Sequence, residues 1–480
     1  MNYSMIFYII GWILSVEAAL MFPSVVVGFI YGEAAVYALI AAMILCLIPG
    51  LYLIKKTPQN RAIYAREGAV IVALCWITVS IMGSLPFIFS GEIPNPIDAL
   101  FETVSGFTTT GASILAAPSE LPHCLNFWRC FTHWVGGMGV LVFLLSLLPM
   151  TGSGYHMNLM KAESPGPSVG KLVPKVQSTA KMLYGLYIIL SVIQLILLLI
   201  GKMPLFDALC TMFGTAGTGG FGIKNDSFGS YSTYLQAVVT IFMILFGINF
   251  NVYFLLYMKK PKEAFKCEEA RWYLGIIAIS TLVITFFIRD YFPSIFMAFH
   301  HAVFQVGSII TTTGFSSTDF NLWPTVPKTI LVVLMFCGAC AGSTGGGIKI
   351  SRIVLLFRTM IREIQLNLRP NSIKKIYFEG RPVDSNIIRS ISVFLATYFF
   401  IFTGSMLLIG IDNFDLTTNF TAVAATINNI GPGLELVGPT QNFGLYSNFS
   451  KHVLIFDMLA GRLELYPMLV LFSRNTWRKF

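Results

Sequence analysis

The stretch PIDALFETVSGFTTTGAS (96–113) decides the fold, because three further stretches repeat its plan. They read PLFDALCTMFGTAGTGGFG (204–222), HHAVFQVGSIITTTGFSS (300–317) and LTTNFTAVAATINNIGPG (416–433). Each is a half-length apolar segment running into a turn rich in Thr and Gly. Pro96 and Pro204 precede Gly111 and Gly219 by 15 residues, and each has an acid close behind it, Asp98 or Asp207. A proline in the first turn beside an acid is a helix-start signal. Thr417 and Thr418 offer N-cap oxygens at nearly the same offset before Gly431. The turn glycines Gly111, Gly219, Gly314 and Gly431 are 108, 95 and 117 residues apart. One TTTG is a helix cap or a turn. Four copies at about 100 residues mean that one chain imitates a four-subunit assembly.

The rest of the chain is a membrane sequence. Of its 480 residues 55% are hydrophobic and 11% charged, where a soluble protein carries about 25% charged residues. That excludes a large soluble enzyme, a disordered chain and a small disulfide scaffold; the eight cysteines are scattered and mostly in apolar runs. A bilayer core takes roughly 20 apolar residues per helix. Such runs lie near 5–31, 35–54, 68–90, 128–149, 182–201, 233–258, 272–288, 327–357, 387–411 and 450–473. Ten spans put both termini on one side. The first run has no basic start and no small-residue cleavage site, so it is expected to stay as a helix.

Sorted by alternate loops, 25 of the 32 basic residues fall on one side. They include Lys55, Lys56, Arg61, Arg66, Lys161, Lys171, Lys175, Lys181, the group from Lys259 to Arg271, nine between Lys349 and Arg389, and Arg474, Arg478 and Lys479. By the positive-inside rule that side is cytoplasmic, and the net charge of +9 needs no nucleic acid to explain it. The opposite loops hold twelve acids, among them Glu33, Asp98, Glu102 and Asp415, against six bases. An acidic outer face either focuses cations or is what the positive-inside rule leaves behind.

Each repeat thus has one order: full span, half helix, turn, full span. The expected fold is all-α and integral to the membrane, with four pseudo-symmetric repeats and an N-terminal two-helix hairpin. The division is 1–60 for the hairpin, then 61–160, 161–265, 266–375 and 376–480 for the repeats. Irregular backbone at membrane depth survives only inside protein or along a water-filled path. Half helices aim their negative C-terminal ends at such a path, which favours a cation. A ring of carbonyls from four turns can replace the hydration shell of potassium.

With these turns, FWRCFTHWVGGMG (127–139), GACAGSTGGGIK (338–349) and MLAGRLELYP (458–467), the chain resembles the TrkH family over essentially its whole length. These are membrane subunits of bacterial Trk potassium-uptake systems, in the wider Trk/Ktr/HKT superfamily. The resemblance implies a filter at Thr109, Thr110, Gly111, Thr218, Gly219, Thr312, Thr313, Gly314, Asn429, Ile430 and Gly431. A serine at the first position goes with sodium-favouring plant relatives, so Gly111 resembles the potassium-selective kind. The fourth turn, NNIG, departs from TTTG and implies an imperfect symmetry.

The resemblance also makes Gly342, Ser343, Thr344, Gly345, Gly346, Gly347 and Lys349 an intramembrane loop obstructing the pore, where packing is the plain alternative. GSTGGGIK looks like a P-loop, but Ile348 separates the last glycine from Lys349 and no strand precedes it, so nucleotide binding is rejected. Arg462 is the one base deep in a predicted span. A charge there costs roughly 2.5–3.5 kcal/mol and should face a pore or a partner. The family reading makes it a barrier to cations below the filter; Asp457 and Glu464 offer the alternative of a structural ion pair. His133 is expected to be a hydrogen-bonding interface residue, and His300 and His301 structural. Cys337 and Cys340 lack the further ligands that zinc needs, and Glu17 has no evident partner.

The expected function is therefore potassium uptake across a bacterial inner membrane, multi-pass, with no enzyme activity and no cofactor in the chain. The resemblance implies a homodimer and a cytoplasmic TrkA-type nucleotide-binding ring that gates flux with NAD or ATP nucleotides. No Rossmann fingerprint is present here. The rivals are a sodium- or proton-coupled symporter, needing Asp457, Glu464 or His133 in the path, and a membrane enzyme, needing clustered His, Asp or Glu at one face.

Overall fold

A computed structural model describes residues 1–60, 63–139, 176–370, 372 and 374–478. The apolar runs form helices. Helices α1 (Tyr3–Tyr31) and α2 (Val36–Lys55) make the N-terminal hairpin. They approach closely at Gly11 and Gly50, where a Cβ on Gly11 would stand 2.7 Å from Leu53 Cβ and one on Gly50 2.6 Å from Ser15 Oγ. Small residues at such a crossing let packing replace the hydrophobic effect, which is absent in lipid. The hairpin is tied to the first repeat through Glu33, which accepts from the N–H groups of His123 and Cys124 at 2.7 and 2.9 Å.

The first repeat holds α3 (Ala65–Ser90), the half helix α4 (Pro96–Phe107) and α5 (His123–Gly137). The second holds α6 (Val176–Ile200), the half helix α7 (Leu205–Ala216), α8 (Thr233–Phe246) and α9 (Phe250–Tyr257). A short α10 (Pro261–Lys266) leads to α11 (Glu268–Ile288), the half helix α12 (Ile295–Ile310), α13 (Thr325–Phe336) and α14 (Ile350–Leu368). An antiparallel pair of two-residue strands, β1 (Tyr377–Phe378) and β2 (Arg381–Pro382), opens the last repeat. That repeat holds α15 (Ser385–Ile409), the half helix α16 (Leu416–Ile427), α17 (Asn448–Arg462) and α18 (Tyr466–Phe472).

Among the described residues six helices are long and apolar enough to cross a bilayer: α1, α2, α3, α6, α11 and α15. Three of the other runs are not single helices. The run 233–258 is broken between α8 and α9, which meet at 89°. Asn249 forces that break by capping α9, its side chain accepting from Asn251 N–H at 2.9 Å. The run 327–357 is interrupted by the non-helical residues 337–349 between α13 and α14. The run 450–473 is broken between α17 and α18, where Glu464 and Leu465 take φ of 54° and 70° and Pro467 sits in the first turn of α18. Of the run 128–149, α5 ends at Gly137, and everything from 140 to 175 lies outside the described residues, with Lys161, Lys171, Lys175 and the boundary at 160. Arg61 and Lys479 lie outside as well.

Caps set the starts of the half helices. Asn95 caps α4 through Ile97 N–H (3.0 Å), with Pro96 as its first helical residue. Ser294 caps α12 through Met297 N–H at 3.2 Å. In the fourth repeat the cap is Asp415, which accepts from Thr418 N–H at 2.9 Å, and neither expected threonine fills that role. A carboxylate there also faces the positive helix end. The Thr418 hydroxyl above all, and then its N–H, hold the Asp415 carboxyl below its ordinary range.

Candidate ion path

The four half helices end alike. One residue past each cap the chain turns left-handed, at Thr109 (φ 56°), Thr218 (55°), Thr312 (59°) and Asn429 (56°). The next N–H then reaches back five residues: Thr110 to Ser105 O at 2.9 Å, Gly219 to Gly214 O, Thr313 to Ser308 O and Ile430 to Ala425 O at 2.8 Å. This is the Schellman way of closing a helix. A β-branched residue is strained in that conformation, and asparagine tolerates it. The fourth turn therefore keeps the backbone symmetry that its sequence gives up.

A second left-handed residue follows two positions later, at Gly111 (φ 78°), Gly220 (80°), Gly314 (84°) and Gly431 (99°). In the second repeat this corrects the register by one: Gly220 matches Gly111, and Gly219 matches Thr110. The cause lies at the helix starts. Pro96 is the first residue of α4, whereas Pro204 stands before α7 as its cap, so aligning the two prolines displaces the turns.

The turns close a ring. A Cβ on Gly111 would lie 2.0 Å from Gly219 O, one on Gly220 1.9 Å from Thr313 O, and one on Gly314 2.0 Å from Ile430 O. One on Gly431 would lie 2.8 Å from Thr110 O, which returns to the first repeat. Each glycine thus stands against the carbonyl that precedes the glycine of the next turn, and only a residue without a side chain fits. A cavity of about 90 Å³ opens onto the ring, lined by all four of these glycines. Fixed carbonyl oxygens at the ends of four half helices suit a cation that has shed its water.

Buried groups brace the ring from behind. His133 Nε2 accepts from Phe221 N–H at 3.2 Å, and its Nδ1 lies 2.7 Å from Gly106 O. The obligatory donor and acceptor fix the neutral tautomer with hydrogen on Nδ1, so this histidine joins the first two repeats as expected of an interface residue. Glu102 and Arg129, read in sequence as outer-loop charges, are a buried ion pair at 2.6 Å. Glu102 also accepts from Ile114 N–H at 2.9 Å, and Arg129 donates to Gly222 O at 3.1 Å. Asp98 likewise pairs with Lys451 at 2.5 Å. These acids are committed to structure, which favours the plainer reading of the outer charges.

On the other side of the ring lies the segment 337–349. Gly346 N–H donates to Thr312 Oγ1 at 2.7 Å. Lys349 Nζ donates to Gly346 O at 3.2 Å and to Gly345 O, sealing the segment on itself. Arg462, at the end of α17, donates to Thr344 O (3.0 Å), Thr109 Oγ1 (3.3 Å), Gly137 O (2.8 Å) and Gly136 O. It therefore joins the segment, the first turn and the end of α5. Asp457 instead accepts from Ser405 Oγ at 2.7 Å, and Glu464 pairs with Arg352. The structure thus brings together Thr109, Thr312, Thr344, Gly346 and Arg462. Ser343 turns back on Cys340 O at 2.7 Å, and Gly342 O accepts from Phe250 N–H at 3.1 Å, at the break before α9.

Sequence reasoning passed over Glu269, Asn249, Glu102 and Arg129. The contacts that fix them reach as far as 93 residues along the chain, so only a buried charge signal could have marked them. Cys340 is buried in the segment and donates its N–H to Gly247 O at 3.1 Å. Among the described residues no three His, Cys, Asp or Glu side chains form a metal site. Glu17 is buried in α1 and has no hydrogen-bond partner among the described residues.

Comparison with known proteins places these features. Residues 36–479 match the family model TrkH, described as a cation transport protein. The Trk system potassium uptake protein TrkH of Salmonella typhimurium is 36% identical over 492 residues, covering 100% of each chain. The Trk system potassium uptake protein TrkG of Escherichia coli is 31% identical over 478 residues, covering 98% of this chain and 97% of that one. The crystal structure of the potassium transporter TrkH from Vibrio parahaemolyticus superposes with a TM-score of 0.89 at 31% identity, covering 100% of both chains.

Proposed function

The chain belongs to the TrkH family of cation transport proteins, and we propose that it takes up potassium through the ring of four turns. The observation that carries this reading is the closed cycle of glycine-to-carbonyl contacts. Potassium gives up its water where carbonyl oxygens replace it, and the backbone of Thr109, Thr110, Thr218, Thr312 and Thr313 supplies part of that ring. Gly111, Gly219, Gly220, Gly314, Asn429, Ile430 and Gly431 complete the filter.

Below it, Gly342 to Gly347 with Lys349 form the gate, and Arg462 forms an electrostatic barrier. The bond from Gly346 to Thr312 and those from Arg462 to Thr344 and Thr109 support this, because they close the space under the ring. A guanidinium facing the exit repels each departing cation. The chain divides into the N-terminal hairpin, 1–60, and four pore repeats, 61–160, 161–265, 266–375 and 376–480. The chain is a multi-pass inner-membrane protein with both termini in the cytoplasm, which the uneven sorting of its basic residues supports. It acts as a homodimer under a TrkA-type nucleotide-binding ring, and needs no cofactor of its own.

Uptake of radioactive rubidium into liposomes holding the purified chain tests this reading. Potassium-driven uptake that survives collapse of the proton and sodium gradients is expected. Uptake that requires either gradient makes the chain a coupled symporter instead.

A further inference from the structure

We propose that Glu269, which ties both ends of the intramembrane segment to α11, is the positioning residue that sets how firmly the segment closes the path. The inference rests on reading that segment as the obstruction. Glu269 is the second residue of α11 and only 3% exposed. Its Oε1 accepts from Ala341 N–H at 2.8 Å and from Ser351 N–H at 3.1 Å. Its Oε2 accepts from Asn249 Nδ2 at 3.3 Å, at the break between α8 and α9. One carboxylate thus grips the segment just before Gly342, the first turn of α14 behind it, and the broken helix of the second repeat.

A carboxylate is suited to this. It offers acceptor sites on two oxygens and donates nothing, so two backbone amides and a side-chain amide can share it. Other holds on the segment differ in kind. Towards the ring there is the Thr312 hydroxyl and Arg462; towards the second repeat, Cys340 N–H bonds Gly247 O at 3.1 Å.

The start of α11 is in turn held by the β1–β2 turn and by α14. Glu379, in the turn between β1 and β2, accepts from Glu268 N–H at 2.8 Å and Glu269 N–H at 3.1 Å. Glu268 pairs with Arg358 of α14. A displacement of that hairpin or of α14 therefore carries the first turn of α11, and with it the anchor of the segment.

The test measures rubidium flux per folded protein in liposomes. The chains compared are the natural one, Glu269→Ala, Glu269→Gln, a chain lacking residues 345–347, and Glu269→Ala within that shortened chain. Glu269→Ala should raise flux roughly tenfold, the equivalent of about 1.4 kcal/mol lost from the closed state. Glu269→Gln keeps one oxygen for the two backbone amides and should raise it less. In the shortened chain Glu269→Ala should add nothing, which a merely stabilising residue has no reason to obey. If shortening raises flux while Glu269→Ala only lowers the melting temperature, the proposal is overturned and the obstruction stands. If shortening leaves flux unchanged, the obstruction fails and the proposal with it. Should Glu269→Ala not fold, Glu269→Gln decides: a rise that vanishes in the shortened chain supports the proposal, and no rise overturns it.

Discussion

Adding one methyl group at Gly111 probes the ring directly. The Cβ of Gly111→Ala would lie 2.0 Å from Gly219 O, whereas carbon and oxygen approach to about 3.3 Å. Both atoms belong to backbone, so the carbonyl must retreat by more than about 1 Å. Left-handed geometry adds roughly 1–2 kcal/mol for a residue with a side chain, and overpacking roughly 1–3 kcal/mol more. If only about 1.4 kcal/mol of this falls on the potassium-occupied ring, preference over sodium drops about tenfold. Gly111→Ser should do the same as Gly111→Ala, because the clash is made by Cβ and not by the hydroxyl. Gly431→Ala should do less, since its nearest carbonyl, Thr110 O, is 2.8 Å away. Rubidium uptake in competition with potassium and sodium, normalised to folded protein, reads all three. Wild-type preference in folded Gly111→Ala would refute the reasoning.

Arg462→Ala should raise the transport rate, about tenfold for each 1.4 kcal/mol of barrier removed; a flat rate with a lower melting temperature would make Arg462 a packing residue. Removing residues 345–347 should raise flux and loosen control by a cytoplasmic partner, and unchanged flux and control would leave the segment as packing only. Arg129→Leu should cost roughly 3–5 kcal/mol of stability by stranding the buried Glu102, with most of it regained in the double variant Arg129→Leu and Glu102→Leu. An unchanged melting temperature in the single variant would contradict the buried pair.

Much of this was legible in the sequence because it is periodic. Three Thr/Gly turns and an Asn/Gly one at matched places, long apolar runs and one-sided basic loops each report on local backbone or on lipid. What escaped was long-range or helix-breaking. The pieces α8 and α9, or α17 and α18, read together as one apolar run, since composition does not register a break at Asn249 or at Leu465. Pro96 and Pro204 look equivalent until the caps show them one position apart. Arg462 invited a search for a nearby acid, yet its partners include backbone carbonyls of Gly136, Gly137 and Thr344, which no side-chain pattern announces. Glu269 stands among lysines at a helix start, and its partners Ala341 and Ser351 lie 72 and 82 residues on.

The most direct measurement is the anomalous scattering of rubidium in crystals of the protein grown with rubidium in place of potassium. The account predicts a peak enclosed by the four turns, bounded by the backbone of Thr110, Gly219, Thr313 and Ile430, and lost in Gly111→Ala. A ring without a peak, with rubidium bound elsewhere in the membrane domain, would contradict it.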